Sequence, residues 1–141
     1  PHTDAVGPHH PLAVAANTAV TSLLTSMPSL GFKPAAEAVL QLAIAANGHL
    51  NDTAPWSRMK QPGKEAEVGD DLYAVLEATR IVGLLLSPML PVLSYRILEQ
   101  LGTSINSDGW TEQLSWGGLV SGASLPKPSP VMQRLELEES L

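Results

Sequence analysis

The 141-residue chain has no cysteine, which excludes a disulfide scaffold and any thiolate metal site. It also has little charge: 16% of its residues are Asp, Glu, Lys or Arg, and they balance to a formal −6. That acidic surplus argues against the broad basic face on which nonspecific nucleic-acid binding relies, DNA included, and leaves room for a small local RNA contact. Long apolar runs are missing as well. The stretch from Ile81 to Leu86 is interrupted by Gly83 and closed by Ser87 and Pro88, whereas a bilayer span needs roughly 18 to 20 apolar residues, so no membrane partner is expected. The chain opens on Pro1 rather than Met, without a basic, serine-rich leader, and reads as a fragment or a processed product. What is present is 44% hydrophobic residues over about one domain's length, enough to bury a core and too much for a disordered acidic tail.

Twelve prolines and eleven glycines sit mostly at boundaries, and the segments between them carry apolar residues at helical spacing. The spacing predicts an all-α, antiparallel helix bundle over 11–102, led in by a flexible segment 1–10 and followed by an irregular, extended C-terminal appendage over 103–141. Helix one carries Ala15, Ala16, Ala19, Leu23 and Met27 on one stripe and stops at Pro28. Helix two begins at Pro34, with Glu37 in its first turn, and ends at Thr53-Ala54-Pro55. Its two stripes, Val39/Ala43/Ala46/Leu50 and Leu40/Ile44, predict burial over more than half its girth and a central position in the bundle. Helix three starts at an Asp70 or Asp71 N-cap, with Leu72, Val75, Leu76, Thr79, Val82, Gly83 and Leu86 inward. Gly83 in that stripe is expected to admit a neighbouring helix closely. Helix four, after Pro88 and Pro91, buries Leu90, Leu93, Ile97 and Leu101 and ends at Gly102. Pro126, Pro128 and Pro130 then force extended backbone along a surface, and Val131 to Leu137 reads as a short edge strand.

Little conventional chemistry is encoded. There is no Gly-x-Ser-x-Gly elbow, so no catalytic residue is assigned. His2, His9, His10 and Asp4 lack a rigid arrangement, so no metal ligand is assigned either, and the leading histidines read as solvated. Gly117 and Gly118 are not followed by the Lys-Ser or the helix of a phosphate cradle and read as a turn. The informative constellation is Asn47 to Lys60, in which a helix ends in a proline turn that presents Trp56 beside Arg58, Lys60 and, farther on, Lys64. A ring so placed can stack on an unpaired base while cations meet phosphates. The competing reading plugs Trp56 into the end of the bundle and leaves the cations in a solvated loop, partly neutralised by Glu65 and Glu67.

The stretch "AAEAVLQLAIAANGHLNDTAPW", within Phe32 to Lys60, resembles the helix and Ala-Pro-Trp turn of the anticodon-binding domain of methionyl-tRNA synthetases, class I aminoacyl-tRNA synthetases. Leu72 to Gly102, "LYAVLEATRIVGLLLSPMLPVLSYRILEQLG", resembles the family's next helix, its Ser-Pro-Met-x-Pro break and its Leu-Gly ending. Trp116-Gly117-Gly118-Leu119, Gly122 and then Pro126 to Glu136 resemble its closing segment, so the resemblance covers about residues 32 to 136. It implies that Trp56 contacts the first base of a CAU anticodon in methionine tRNA, with Arg58, Lys60 and Lys64 available to the RNA backbone. Asn47 reads as a helix-bonded or packed residue, His49 as surface, and Trp116 as packing the tail onto the bundle; neither Trp116 nor Trp110 is assigned to RNA. The family's further readers, an asparagine and an arginine on a preceding helix, have no Asn-x-x-x-Arg counterpart before Leu12. His-Ile-Gly-His and Lys-Met-Ser-Lys-Ser are absent too, so the chain is expected to need an upstream catalytic domain. ATP and magnesium are implied for that parent enzyme and no cofactor for this chain, in cytoplasm or organelle. The alternative is a non-catalytic helical protein-interaction module built on the same fold.

Overall fold

A computed structural model describes residues 4–134. They form an all-helical packed domain: α1 (Pro11–Ser26), α2 (Phe32–Thr53), the short α3 (Pro55–Arg58), α4 (Glu65–Leu86), α5 (Pro91–Gln100) and the short α6 (Trp110–Gln113). α1 packs on α2, α2 on α4 and α4 on α5, while α1 also reaches α4. Pro28 stops α1 as expected, in a single 3-10 turn over Met27–Ser29 that is closed by a left-handed Leu30. α2 begins two residues before Pro34, behind Gly31, so Glu37 falls one turn deeper than expected and lies 3.9 Å from Lys33.

The central helix is α4, not α2. It buries eleven residues, among them Ile81, Leu84 and Leu85, against four on α2, namely Ala35, Val39, Leu42 and Ala46. Leu40 and Ile44 stand 57% and 54% exposed, so α2 is amphipathic and its second stripe faces away from the core. α1 keeps its stripe, with Leu12, Ala13, Ala16, Ala19 and Leu23 buried. On α4 Val82 and Gly83 are buried as expected, but the rest of the inner face is rotated: Tyr73, Ala74, Glu77, Ala78 and Ile81 are buried, and Leu72, Val75, Leu76, Thr79 and Leu86 are only half-buried. The helix also starts earlier, at Glu65 behind Lys64, five or six residues before the expected aspartate cap. Glu65 and Glu67 supply the negative charge of the first turn. α5 is rotated too, burying Ser94 and Leu98 with Leu101 just beyond its end and exposing Leu90.

The leading segment, expected to be flexible, places Val6 in the core and His10 half-buried, with Pro8 and His9 exposed between them, while residues 1–3 lie outside the described range. Val6 is buried, and its carbonyl accepts the Trp116 indole N–H at 2.8 Å. His10 caps α1: its Nδ1 accepts the Leu12 amide at 3.1 Å, and its ring stacks parallel to Trp116 and edge-on to His49. Burial first, and His49 second, hold the His10 pKa below its ordinary 6.5, against the pull of Asp71 and Asp70. A histidine whose pKa is lowered by folding favours the native state while neutral, so its contribution is complete above about pH 6.5 and declines on acidification. His10→Asn supplies a cap that does not titrate. The expected outcome is a smaller drop in unfolding midpoint between about pH 7 and pH 5 than in the unaltered chain, read by circular dichroism.

The appendage is docked rather than free. Trp110 donates its indole N–H to the Leu84 carbonyl at 3.1 Å, and Tyr73 donates its hydroxyl to the Leu119 carbonyl at 3.1 Å. The proline segment runs along α5, where Ser129 exchanges hydrogen bonds with Gln100 and Arg96 donates to the Val131 carbonyl. Val131 to Arg134 forms no strand, and the rest of the expected edge strand, from Leu135, lies outside the described residues. No helix among the described residues is long and apolar enough to cross a membrane.

Candidate functional site

The end of α2 is shaped by a local conflict. Ala54 precedes Pro55, whose ring crowds the right-handed helical region for the residue before it. Ala54 therefore turns left-handed, at φ 41° and ψ 61°, while its amide still donates to the Leu50 carbonyl at 3.1 Å. Pro55 then opens α3 in the one helical position where its missing N–H costs nothing. A non-glycine residue in this region carries strain of about 1 to 3 kcal/mol, and such positions concentrate at functional sites. The consequence is a sharp reversal that buries Pro55 and turns Trp56 outward, 55% exposed.

The three cations do not share one environment. Lys60 is exposed and pairs with no carboxylate among the described residues. Lys64 donates to Glu67 at 2.9 Å. Arg58 donates through Nη2 to Glu67 at 2.7 Å, and through Nη1 to Asp71 and to the Thr53 carbonyl. Lys64 first, and Arg58 second, hold the Glu67 carboxyl below its ordinary pKa. The loop is thus charge-compensated around Arg58 and open at Lys60 and Trp56, with Met59 exposed between them.

Two residues that sequence reasoning placed elsewhere belong here. Asp71, expected as a helix cap, sits in the second turn of α4 and accepts from Arg58 on one oxygen and from His49 Nε2 on the other, at 3.1 Å. His49, expected at the surface, is half-buried between Asp71 and His10. Asn47, expected to be helix-bonded or packed, is exposed and so not packed. The acidic pair Glu65/Glu67 just after Gly63-Lys64 was the signal that α4 starts early, which would have freed Asp71 from capping.

A second arrangement secures the Trp116 turn. Glu77 is fully buried, and its Oε1 accepts the Gly117 and Gly118 amides at 2.7 and 2.9 Å while Oε2 accepts the Leu119 amide at 3.0 Å. Arg80 grips the same carboxylate with Nε and Nη2 and donates to the Gln113 and Ser115 carbonyls. The Gly-Gly amides that an anion could have taken are already given to Glu77.

The family model for the anticodon binding domain of methionyl tRNA ligase matches residues 1–140. A methionine–tRNA ligase of Synechocystis is 36% identical over 94% of this chain and 26% of its own length. The chloroplastic/mitochondrial methionine–tRNA ligase of Arabidopsis thaliana is 38% identical over 90% of this chain and 21% of its own. Among solved structures, the free-state methionyl-tRNA synthetase of Mycobacterium tuberculosis superposes with a TM-score of 0.80 at 25% identity, covering 98% of this chain and 27% of that one. The chain therefore spans about a quarter of the length of these relatives. With the match running from the first residue to the last but one, and the helical fold shared, the chain belongs to the anticodon-binding domain family of methionyl-tRNA ligases.

Proposed function

We propose that this domain reads the CAU anticodon loop of methionine tRNA, with the Trp56 ring stacking on the first anticodon base and base-edge hydrogen bonds completing recognition, the usual mode for single-stranded RNA. The observation that carries the reading is one exposed indole on a strained reversal at the end of α2, beside the open Lys60. Lys60 and Lys64 meet loop phosphates in this reading. Arg58, assigned to the backbone by sequence, is already engaged by two carboxylates. The acidic remainder suppresses nonspecific RNA binding.

The parent enzyme in this reading attaches methionine to tRNA, using ATP and releasing AMP, and its catalytic part is a partner of this domain. The residues here do not fit ATP or magnesium. Among the described residues no three His, Asp or Glu side chains gather as a metal would need, and the Gly117-Gly118 amides are committed to Glu77. The second reading, a non-catalytic protein-interaction module, is favoured by the exposed Leu40/Ile44 face of α2.

Binding of the chain to a methionine anticodon hairpin, compared at fixed moderate salt with a hairpin altered at the first anticodon base, separates the two. A CAU preference, with an affinity for that hairpin that Trp56→Ala reduces by about 1 to 3 kcal/mol, one base stack, supports the first. Equal affinity for both hairpins, or none, favours the module.

A further inference from the structure

Exposure lets the Trp56 ring meet a base, yet an exposed ring on a four-residue helix has nothing of its own to hold it in place. α3 is far shorter than a helix that persists alone, and no side chain caps it. Its first residue, Pro55, is buried. Its last, Arg58, is fastened to α4 by the two carboxylates of Glu67 and Asp71.

These two anchors are not equivalent. Glu67 is exposed and shared with Lys64, whereas Asp71 is largely shielded and holds a second partner, His49 of α2. One carboxylate on α4 therefore ties the last turns of α2 to α3, on both sides of the strained Ala54 reversal. A planar guanidinium held by two carboxylates is fixed in orientation as well as in distance. Trp56 lies two residues from it on the same helical turn, so the fork that fixes Arg58 also fixes the backbone turn that carries the indole.

Resting on the reading of Trp56 as the base-stacking ring, we infer that Asp71 and Arg58 are positioning residues for anticodon discrimination: the Asp71 carboxylate, braced by His49, holds Arg58 and through it the Trp56 ring. Arg58 then contributes to base choice without touching RNA. A phosphate contact by Arg58 would instead contribute equally to every anticodon sequence.

The test uses the 141-residue chain with 5-fluorotryptophan at its three tryptophans, each resonance assigned by a Trp→Phe variant. In Asp71→Asn, and separately in Arg58→Met, the fluorine signal of Trp56 is expected to move toward that of free fluorotryptophan, while the Trp110 signal stays in place; Trp116, which stacks on His10 beside His49, serves as a reference only in Arg58→Met. Affinity for the CAU hairpin is expected to fall by at least about fivefold, the low end of what one base stack contributes, and its preference over a hairpin with a changed first base to narrow, because a displaced ring no longer sets the base edge against its hydrogen-bond partners. The double variant is expected to lose no more than either single one, because both act through one link.

An unmoved Trp56 signal in both variants overturns the inference. So does an Arg58→Met variant that binds both hairpins equally more weakly with a shallower salt dependence, the mark of a phosphate contact. Trp56→Ala is measured beside them. If it leaves discrimination unchanged, or if the unaltered chain binds neither hairpin, the anticodon reading itself falls. If Trp56→Ala loses discrimination and Asp71→Asn and Arg58→Met keep it, only the positioning role falls. Should Asp71→Asn fail to fold by circular dichroism, Arg58→Met carries the test, since Arg58 lies outside the hydrophobic core.

Discussion

Glu77→Gln is expected to destabilise the chain by about 3 to 5 kcal/mol, the cost of leaving one member of a buried ion pair uncompensated. Glutamine has the right shape, which isolates the electrostatic cause. Its carbonyl oxygen replaces Oε1 before Gly117, Gly118 and Arg80, but its NH2 group then meets the Leu119 amide and Arg80 Nε, two donors with nothing to accept them. The Arg80 guanidinium stays buried without its counter-ion. Urea unfolding followed by tryptophan fluorescence measures the effect, and an unchanged midpoint would show that the turn is held by Trp116 packing alone. The double variant Glu77→Leu/Arg80→Met is not expected to recover stability, although such replacements of isolated buried pairs are often neutral. Here the pair also serves three amides and two carbonyls of residues 113–119, and an apolar substitute strands all five.

The same carboxylate gives the chain an acid limit. Burial alone would raise the Glu77 pKa, but the hydrogen bonds and charge of Arg80 and the Gly118 and Gly117 amides outweigh it, so the net shift is downward. A carboxyl whose pKa is lowered by folding contributes stability above its unfolded value, ordinarily 4.5, and loses it as pH falls through the lowered native one. Acid unfolding below about pH 4.5 is therefore expected to begin with release of the Trp116 turn, seen as a near-ultraviolet dichroism change that precedes loss of helix.

Periodicity made the helical class and most boundaries legible, because Pro28, Pro55, Pro91 and Gly102 each act locally through φ or a missing N–H. It misplaced the inner faces of α4 and α5. A stripe counted from leucines cannot register a helix whose buried face includes Glu77, Arg80 and Ser94, polar residues that enter the core only because distant partners satisfy them. The candidate site divides the same way. Trp56, Arg58, Lys60 and Lys64 were visible as one short segment. Asp71 and His49 were not, since their link crosses 22 residues and exists only once α4 is correctly started. His10 and Val6 were lost to a leading segment with no period, where the decisive partner is Trp116, more than a hundred residues away.

Gly83 was legible from sequence for a reason the fold makes quantitative. A Cβ at this position would lie 3.0 Å from Ile97 Cγ2 and 3.1 Å from Leu98 Cδ2, and the Gly83 carbonyl accepts the Ser94 hydroxyl at 2.7 Å, so α5 crosses α4 in direct touch with its backbone. Replacement by alanine sets two terms against each other. Helix propensity gains about 1 kcal/mol, while Ile97, only half-buried, can give by the few tenths of an ångström required; the net is expected to stay within about 1 kcal/mol of zero. Gly83→Leu adds three carbons beyond alanine's that have no such room, because Leu98, also at the contact, is fully buried. Overpacking of about 1 to 3 kcal/mol, with about 1 to 3 kcal/mol more from stranding the buried Ser94 hydroxyl, exceeds the propensity gain. A net loss near 3 kcal/mol is expected, read as the shift in urea midpoint. Comparable stability for Ala and Leu would mean that α5 rides on α4 loosely enough to move aside.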